Sequence, residues 1–336
     1  MTKPTTIAEQ PAERVGLKPL SDSAAPVQTM EFALMVARGL SDQPRRLDSR
    51  YLYDAHGSFI FERICEQPEY YLTRTEAAIL AEAAAEIAGH TGHVTLIEFG
   101  SGSSIKTRLL LDAYCRLYGS VRYAPVDISK TILDQAEEGI AATHPAVEVQ
   151  SLNGSFEEAY PLLGSLSPSM LLFLGSTAGN LDSHEAAAFW ESVSRNLLPG
   201  DLCLLGIDIN ENAGSLDHAY NDAAGYSEAF TRNIFNRMNR ELGSSLDTSL
   251  IGHVARYDHK WRRVEIFAHF LQEQEITIKP LGSTFHVGAG ELVLTEVSRK
   301  FRLDHMVPYL RTFGFETSKI FSDSRRRFAV LLLQRK

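Results

Sequence analysis

The sequence predicts an α/β protein: a doubly wound parallel sheet carrying an inserted α+β lid. Three observations predict it. Apolar strand-like runs alternate with helical stretches from Val94 to Ile207, the pattern of a parallel sheet covered on both faces. The first of these runs, Val94 to Phe99, passes through Gly100-Ser101-Gly102-Ser103-Ser104 into a helical pattern, as a buried strand does when it turns over a ligand. Alternating segments at Arg263 to Phe270, Gln274 to Lys279 and Gly290 to Ser298 read as antiparallel strands and interrupt that order.

Composition sets bounds on the reading. The 336 residues, 44% of them hydrophobic, can bury a substantial core. A net charge of −9 argues against nucleic acid as a partner, because a phosphate-binding surface needs clustered Lys and Arg; the run Arg325-Arg326-Arg327 is short enough to be a solvated turn. Cys65, Cys115 and Cys203 lie far apart, without metal or redox spacing, so the expectation is reduced thiols, a cytoplasmic chain and no metal. No run reaches the ~18 apolar residues of a membrane span. The expected molecule is a monomer that acts on a small molecule.

In chain order, residues 1–29 are rich in Thr, Pro, Ala and Glu and read as a flexible leader. Met30 to Leu40 has helical spacing, a Gly57-Ser58 turn enters a second helix, and Thr73 with Glu76 has capping-box spacing before an Ala-rich helix that runs to about Gly89. This segment, 30–78, is expected to contribute to the substrate domain. The core, 79–210, carries strands at Val94 to Phe99, Val121 to Val126, Val147 to Leu152, Met170 to Leu174 and Leu202 to Ile207. The inserted substrate-binding domain covers 211–299, beginning with a long helical region from Glu211 to Leu242. Residues 300–336 complete the core with a helix at Leu303 to Phe313 and a hairpin of strands at Glu316 to Phe321 and Phe328 to Leu333.

In doubly wound sheets ligands sit beyond the carboxyl ends of the strands. The residues to inspect are therefore Gly100 to Ser104, Asp127, Asn153 to Phe156, Gly175 to Asn180, and Asp208. The dinucleotide fingerprint needs a third glycine, and Ile105 stands at that position, which disfavours a nicotinamide cofactor. Glu98 closing the first strand beside a small-residue turn, with Asp127 closing the second to hold ribose hydroxyls, suits S-adenosylmethionine. In Gly175-Ser176-Thr177-Ala178-Gly179-Asn180, glycines let backbone approach a ligand and Asn180 offers both a donor and an acceptor, although Gly-Asn is also a common turn.

Seven ordered stretches go further. They are Tyr53-Asp54-x-x-Gly57-Ser58; Pro68-Glu69-Tyr70-Tyr71-x-Thr73-Arg74-Thr75-Glu76; Glu98-x-Gly100-Ser101-Gly102-Ser103-x-x-Lys106-Thr107; Pro125-Val126-Asp127-Ile128-Ser129; Phe173-Leu174-Gly175-Ser176-Thr177-x-Gly179-Asn180; Ala219-Tyr220-x-Asp222-Ala223-Ala224-Gly225; and Thr295-Glu296-x-Ser298-x-Lys300-Phe301. From about residue 30 onward the chain resembles the histidine-specific Nα-methyltransferases of ergothioneine biosynthesis. The resemblance implies a class I, Rossmann-like methyltransferase fold and trimethylation of the α-amine of L-histidine to hercynine. It implies a cofactor site including Tyr53, Gly100, Lys106 and Asp127, to which Glu98, Ser101 and Gly102 of the turn are added. Asn180 and Tyr220 would hold the amino acid's backbone end, with Gly175 and Thr177 of the same turn, and Tyr70, Glu296 and Ser298 would read the imidazole. Two positions depart from the family. Ser155-Phe156 stands where an Asp-Phe pair often lies near the adenine, implying a hold by backbone amides, and Ile266 replaces a methionine near the imidazole while keeping an apolar wall.

Transfer of a methyl group from a sulfonium to an amine needs alignment and exclusion of water more than covalent help, so no catalytic acid or base is expected. His56, His269 and His286 read as surface or core residues. Alternatives are a methyltransferase for another aromatic amino acid such as tryptophan, which would use Glu296 and Ser298 poorly, and a non-catalytic S-adenosylmethionine-binding regulatory protein.

Overall fold

The computed structural model describes residues 25–336. The leader expected over 1–29 lies outside the described residues as far as residue 24, and helix α1 (Ala25–Ser41) covers its last five positions. Helices α2 (Ala55–Glu66) and α3 (Tyr71–Thr91) follow. Asp54, not a Gly-Ser turn, starts α2: its carboxylate accepts the Gly57 N–H at 2.8 Å, as an N-cap aspartate does. The capping box expected of Thr73 and Glu76 does not form. Helix α3 already begins at Tyr71, without a side-chain cap, so Glu76 lies in its second turn and is free for another use. The boundary drawn at 78/79 falls inside this helix.

The core then runs β1 (Thr95–Phe99), α4 (Arg108–Tyr118), β2 (Val121–Asp127), α5 (Lys130–Thr143), β3 (Val147–Val149), β4 (Leu152–Asn153), α6 (Phe156–Ala159), β5 (Ser169–Phe173), α7 (Ser183–Asn196) and β6 (Leu202–Asp208). Every residue of β1, β5 and β6 is buried, as expected of parallel strands covered on both faces. The single strand expected at Val147 to Leu152 is two short ones, both paired with β2. Helices α8 (Ala213–Ala219) and α9 (Tyr226–Arg237) divide the expected long helical region.

Strands β7 (Ile251–Asp258), β8 (Arg263–Phe270), β9 (Gln274–Ile278), β10 (Ser283–Val287) and β11 (Leu292–Arg299) form a three-stranded antiparallel sheet, β11-β8-β7, and a β9-β10 ribbon. The sequence reading missed β7 and β10. In β7 only Ile251 and Ala255 are buried, so it lacks the apolar alternation that marks a strand. Helix α10 (Leu303–Thr312) and the hairpin β12 (Phe315–Ser322) and β13 (Phe328–Arg335) close the chain where expected.

The main sheet has the order β12-β13-β6-β5-β1-β2-β3, with β4 also on β2. Strand direction is parallel from β3 to β6, and β13 is antiparallel to β6 and β12. Because β1 lies between β2 and β5, the chain leaves it toward one side of the sheet and later returns to the other. That reversal opens a crevice at the carboxyl ends of β1 and β5, which puts the turn after β1 and the turn after β5 on its two lips. The insert docks the end of β11 against the turn after β5. It is tied to the N-terminal segment by backbone hydrogen bonds between Leu47 and Leu294 (2.7 Å) and between Leu294 and Arg45 (3.0 Å), and both pack into one apolar core with a face of the main sheet.

Candidate active site

On the first lip, Gly100 and Gly102 have φ of 68° and 51°, a left-handed backbone that side chains disfavour. The amides of Gly100 and Ser101 donate to the Val126 carbonyl at 2.9 and 3.2 Å, clamping the turn onto the end of β2. Asp127 completes the clamp by accepting from the Gly102 and Ser129 amides at 3.0 and 2.9 Å. Burial pushes its carboxyl up, against the pull of those donors.

Glu98 makes its contacts inside the fold. It accepts from the Thr107 hydroxyl at 2.8 and 2.7 Å and from the Tyr123 hydroxyl, and burial pushes its carboxyl up to about 7. A carboxylate this deeply buried must be satisfied internally, so Glu98 braces the turn from beneath.

Ser155 is likewise engaged. Its hydroxyl accepts the Glu158 amide at 3.3 Å and its own amide donates to Glu158 at 2.8 Å, which is the capping box of α6. Phe156 stacks on Phe99 with ring centroids 4.9 Å apart and floors the turn at Gly100. The Ser101 hydroxyl is buried without a partner, and an unmet buried group costs about 1–3 kcal/mol. A ligand rich in polar groups seated in this turn would satisfy it, so the residues present fit S-adenosylmethionine. Lys106 reaches from the same turn to an ion pair with Glu76.

On the second lip, Gly179 has no room for a side chain: a Cβ there would stand 2.9 Å from the Arg299 carbonyl. The turn therefore backs directly onto β11. The Thr177 hydroxyl donates to Leu174 at 2.8 Å, stiffening the turn. This docking lets Asn180 donate to Glu296 at 2.6 Å. Burial pushes the Glu296 carboxyl up to about 7, moderated by Asn180 and Lys300. Ile266 stands directly opposite Glu296 in the β8-β11 ladder, and opposed residues share a face.

Ser298, two residues along, lies on that face as well. Its hydroxyl meets the Tyr220 hydroxyl at 2.7 Å. The fully buried Lys300 donates to both at 2.8 Å and pairs with Asp208 at 2.9 Å, and Tyr71 donates to Asp208 at 2.6 Å. Tyr70 sets its ring edge-on to Tyr220, with centroids 5.9 Å apart. Tyr53 packs edge-on against Phe61 and Phe230. Burial holds its phenol well above the usual range.

The structure thus links Asn180 to Glu296, with Ile266 opposite it, and links Tyr70 through Tyr220 to Ser298, while the Phe61 ring joins Tyr53 to Tyr70; Gly175 and Thr177 belong to the turn that carries Asn180. Sequence reasoning did not assign Glu76, Tyr71, Asp208 or Lys300. Lys300 was findable, since it continues the alternation of positions 296 and 298 one residue past the end of β11. Glu76 was hidden by the capping-box spacing. Among the described residues no group of three or more His, Cys, Asp or Glu could hold a metal ion.

A doubly wound sheet with this clamped Gly/Ser turn and an acid ending its second strand defines a class I, S-adenosylmethionine-dependent methyltransferase. A family model described as a histidine-specific, SAM-dependent methyltransferase matches residues 32–335, and the chain belongs to that family. It is 38% identical over 300 residues to a histidine N-alpha-methyltransferase of Mycolicibacterium smegmatis, covering 89% of this chain and 94% of the relative. Identity is 36% over 298 residues to the protein of that name from Mycobacterium tuberculosis, covering 88% and 92%. Ergothioneine biosynthesis protein 1 of Neurospora crassa is 31% identical over 235 residues, 67% of this chain and 27% of that longer protein.

Proposed function

We propose that the chain methylates the α-amine of free L-histidine three times, giving hercynine for ergothioneine biosynthesis, and that it does so as a cytoplasmic monomer without a metal. One observation carries the choice of substrate: the Glu296 carboxylate shares a strand face with Ser298 and Ile266 inside a wall of tyrosines. A carboxylate accepts the N–H of an imidazole, while the hydroxyl can meet the other ring nitrogen. An indole has one N–H and would leave the second group unmet.

S-adenosylmethionine supplies an electrophilic methyl group on a sulfonium. The protein's own task is alignment. Asn180 uses its amide N–H on Glu296, which turns its carbonyl oxygen toward an amine as an acceptor. Tyr220, held by Lys300, gives its one hydroxyl proton to a carboxylate, and its bond to Ser298 in the free protein yields to leave the Ser298 proton for the ring. Tyr53 and Tyr70 exclude water between the lips, where alignment is worth several kcal/mol of barrier. An α-amine is largely protonated at neutral pH and must lose a proton before each transfer.

The deciding experiment is incubation with S-adenosylmethionine and each free amino acid, with mass detection of mono-, di- and trimethylated products. Trimethylation confined to histidine is expected. Faster methylation of tryptophan or another amino acid would overturn the reading.

A further inference from the structure

We propose that Glu76 is a positioning residue that locks the cofactor turn to the amino-acid turn and makes the two ligands bind cooperatively. The identities of those ligands rest on the function proposed above; the lock itself rests on geometry. Glu76 is fully buried. Its two carboxylate oxygens accept the Gly175 amide at 2.9 Å each, and it forms an ion pair with Lys106. Lys106 belongs to the turn after β1 and Gly175 opens the turn after β5, so one side chain from α3 holds both lips of the crevice.

The rest of the fold makes room for this carboxylate. Gly206 lies within β6, where a Cβ would stand 1.9 Å from the Glu76 oxygen. A glycine inside a central strand weakens it unless something must approach closely, and here Glu76 does. Burying a carboxylate is costly unless it is paired and hydrogen-bonded, and the Gly175 amide and Lys106 ammonium supply those partners. Burial would by itself lower the Lys106 pKa, but Glu76 outweighs it and keeps the ammonium charged.

Lys106 stays one-fifth exposed, and its nitrogen lies 3.6 Å from where a Cβ of Gly175 would stand. An ammonium has three N–H groups. One is engaged by Glu76, leaving donors that face the crevice for an anion such as the carboxylate of the cofactor's methionine end. A ligand that orders Lys106 therefore orders Glu76 and, through it, the Gly175 turn that carries Asn180. The second ligand meets a site already ordered, and the first has borne the entropy cost, which is positive coupling.

The test is calorimetry on the full chain with S-adenosylhomocysteine, which cannot react, and histidine. In wild type each ligand should tighten the other by roughly tenfold or more. Glu76→Gln keeps the shape but removes the charge, and should bring that factor close to one in a protein that still unfolds cooperatively. A merely structural role would lower the melting temperature and leave the coupling factor unchanged. Undiminished coupling in folded Glu76→Gln, or none in wild type, overturns the proposal. Should Glu76→Gln not fold, Lys106→Met removes the other end of the lock and must also abolish coupling; its persistence there overturns the proposal equally. If wild type binds S-adenosylhomocysteine but not histidine, the proposed function fails. The lock is then judged on S-adenosylhomocysteine affinity alone, which Glu76→Gln should weaken about tenfold and which, unchanged, refutes it.

Discussion

The two lips of the crevice satisfy their polar groups in different ways. Around the turn after β1, most partners are backbone amides or near neighbours: Asp127 is met by the Gly102 and Ser129 amides, and Glu98 by Thr107 and Tyr123. Around the turn after β5, side chains meet side chains brought from far apart, with Asn180 on Glu296, Tyr220 on Ser298, and Lys300 on Asp208. The first arrangement is a preorganised cradle that tolerates change in distant sequence. The second is a coupled set of charges and hydroxyls, in which removing one member strands another, and a stranded buried group costs more than a normal hydrogen bond contributes. Substrate choice should therefore be the more fragile property, and cofactor binding the more robust one.

The strongest attack on that contrast is Glu296→Ala. Removing the carboxylate takes away the acceptor for an imidazole N–H and also strands the Asn180 amide. With about 1–3 kcal/mol for each unmet group, kcat/KM for histidine should fall by roughly 10²-fold or more. The gap to phenylalanine and tryptophan should narrow, since sites built on a ligand's hydrogen bonds discriminate more sharply than apolar pockets. The measurement is kcat/KM for the three amino acids in both proteins. Unchanged ratios would remove Glu296 as the reader of the side chain.

The contrast also explains what the sequence disclosed. The cofactor lip is local: Glu98 to Thr107 is one continuous stretch and Asp127 ends the next strand, so spacing alone pointed to it. Even there the internal partners of a side chain were not legible: Glu98 meets Thr107 and Tyr123, and Ser155 caps α6, contacts that depend on burial which short-range spacing does not encode. The amino-acid lip is assembled from segments between Tyr70 and Lys300; only the family resemblance grouped Asn180 with Tyr220 and Tyr70 with Glu296 and Ser298, and the bonds that cross those groups, Asn180 to Glu296 and Tyr220 to Ser298, emerged from the structure. Asp208 and Lys300, fully buried in the sheet and beside it, carry no local signal of their pairing. Glu76 shows the opposite failure, in which a plausible local motif concealed a long-range contact.

A paired experiment separates the lips directly. Asp127→Ala should weaken S-adenosylmethionine binding by about 1.5–3 kcal/mol, the loss of a charge-assisted acceptor, with little effect on the histidine affinity of the free protein. Asn180→Ala should do the reverse, raising the histidine requirement by roughly tenfold to 10²-fold, since it also strands the Glu296 oxygen at a cost of about 1–3 kcal/mol, while leaving cofactor affinity near wild type. Histamine, which lacks the carboxylate, should be a poor substrate of wild type. Calorimetry on each variant decides: if Asp127→Ala binds the cofactor normally, or Asn180→Ala loses both ligands alike, the division between the lips is drawn in the wrong place.

The smallest effect expected, and the one most specific to the amino-acid lip, is on pH. Burial raises the Glu296 carboxyl from 4.5 to about 7. Below that value it is protonated and presents an O–H; above it the group is an acceptor only, the state an imidazole N–H requires. Histidine KM should therefore fall as pH rises through about 7, by roughly tenfold between pH 6 and 8 if ionisation of this one group governs it. The substrate's own ring also titrates near 6.5, so the reference is Glu296→Gln, which keeps the shape and cannot ionise. The difference between the two pH profiles isolates the carboxyl. The free protein should show the linked effect on stability. Between 4.5 and about 7 the folded state holds a proton that the unfolded chain has released, so this group makes stability fall as pH rises across that window. Glu296→Gln should flatten that part of the melting-temperature profile. Parallel profiles in the two proteins, for KM and for melting alike, would place Glu296 in water rather than in the pocket and would erase the difference between the lips.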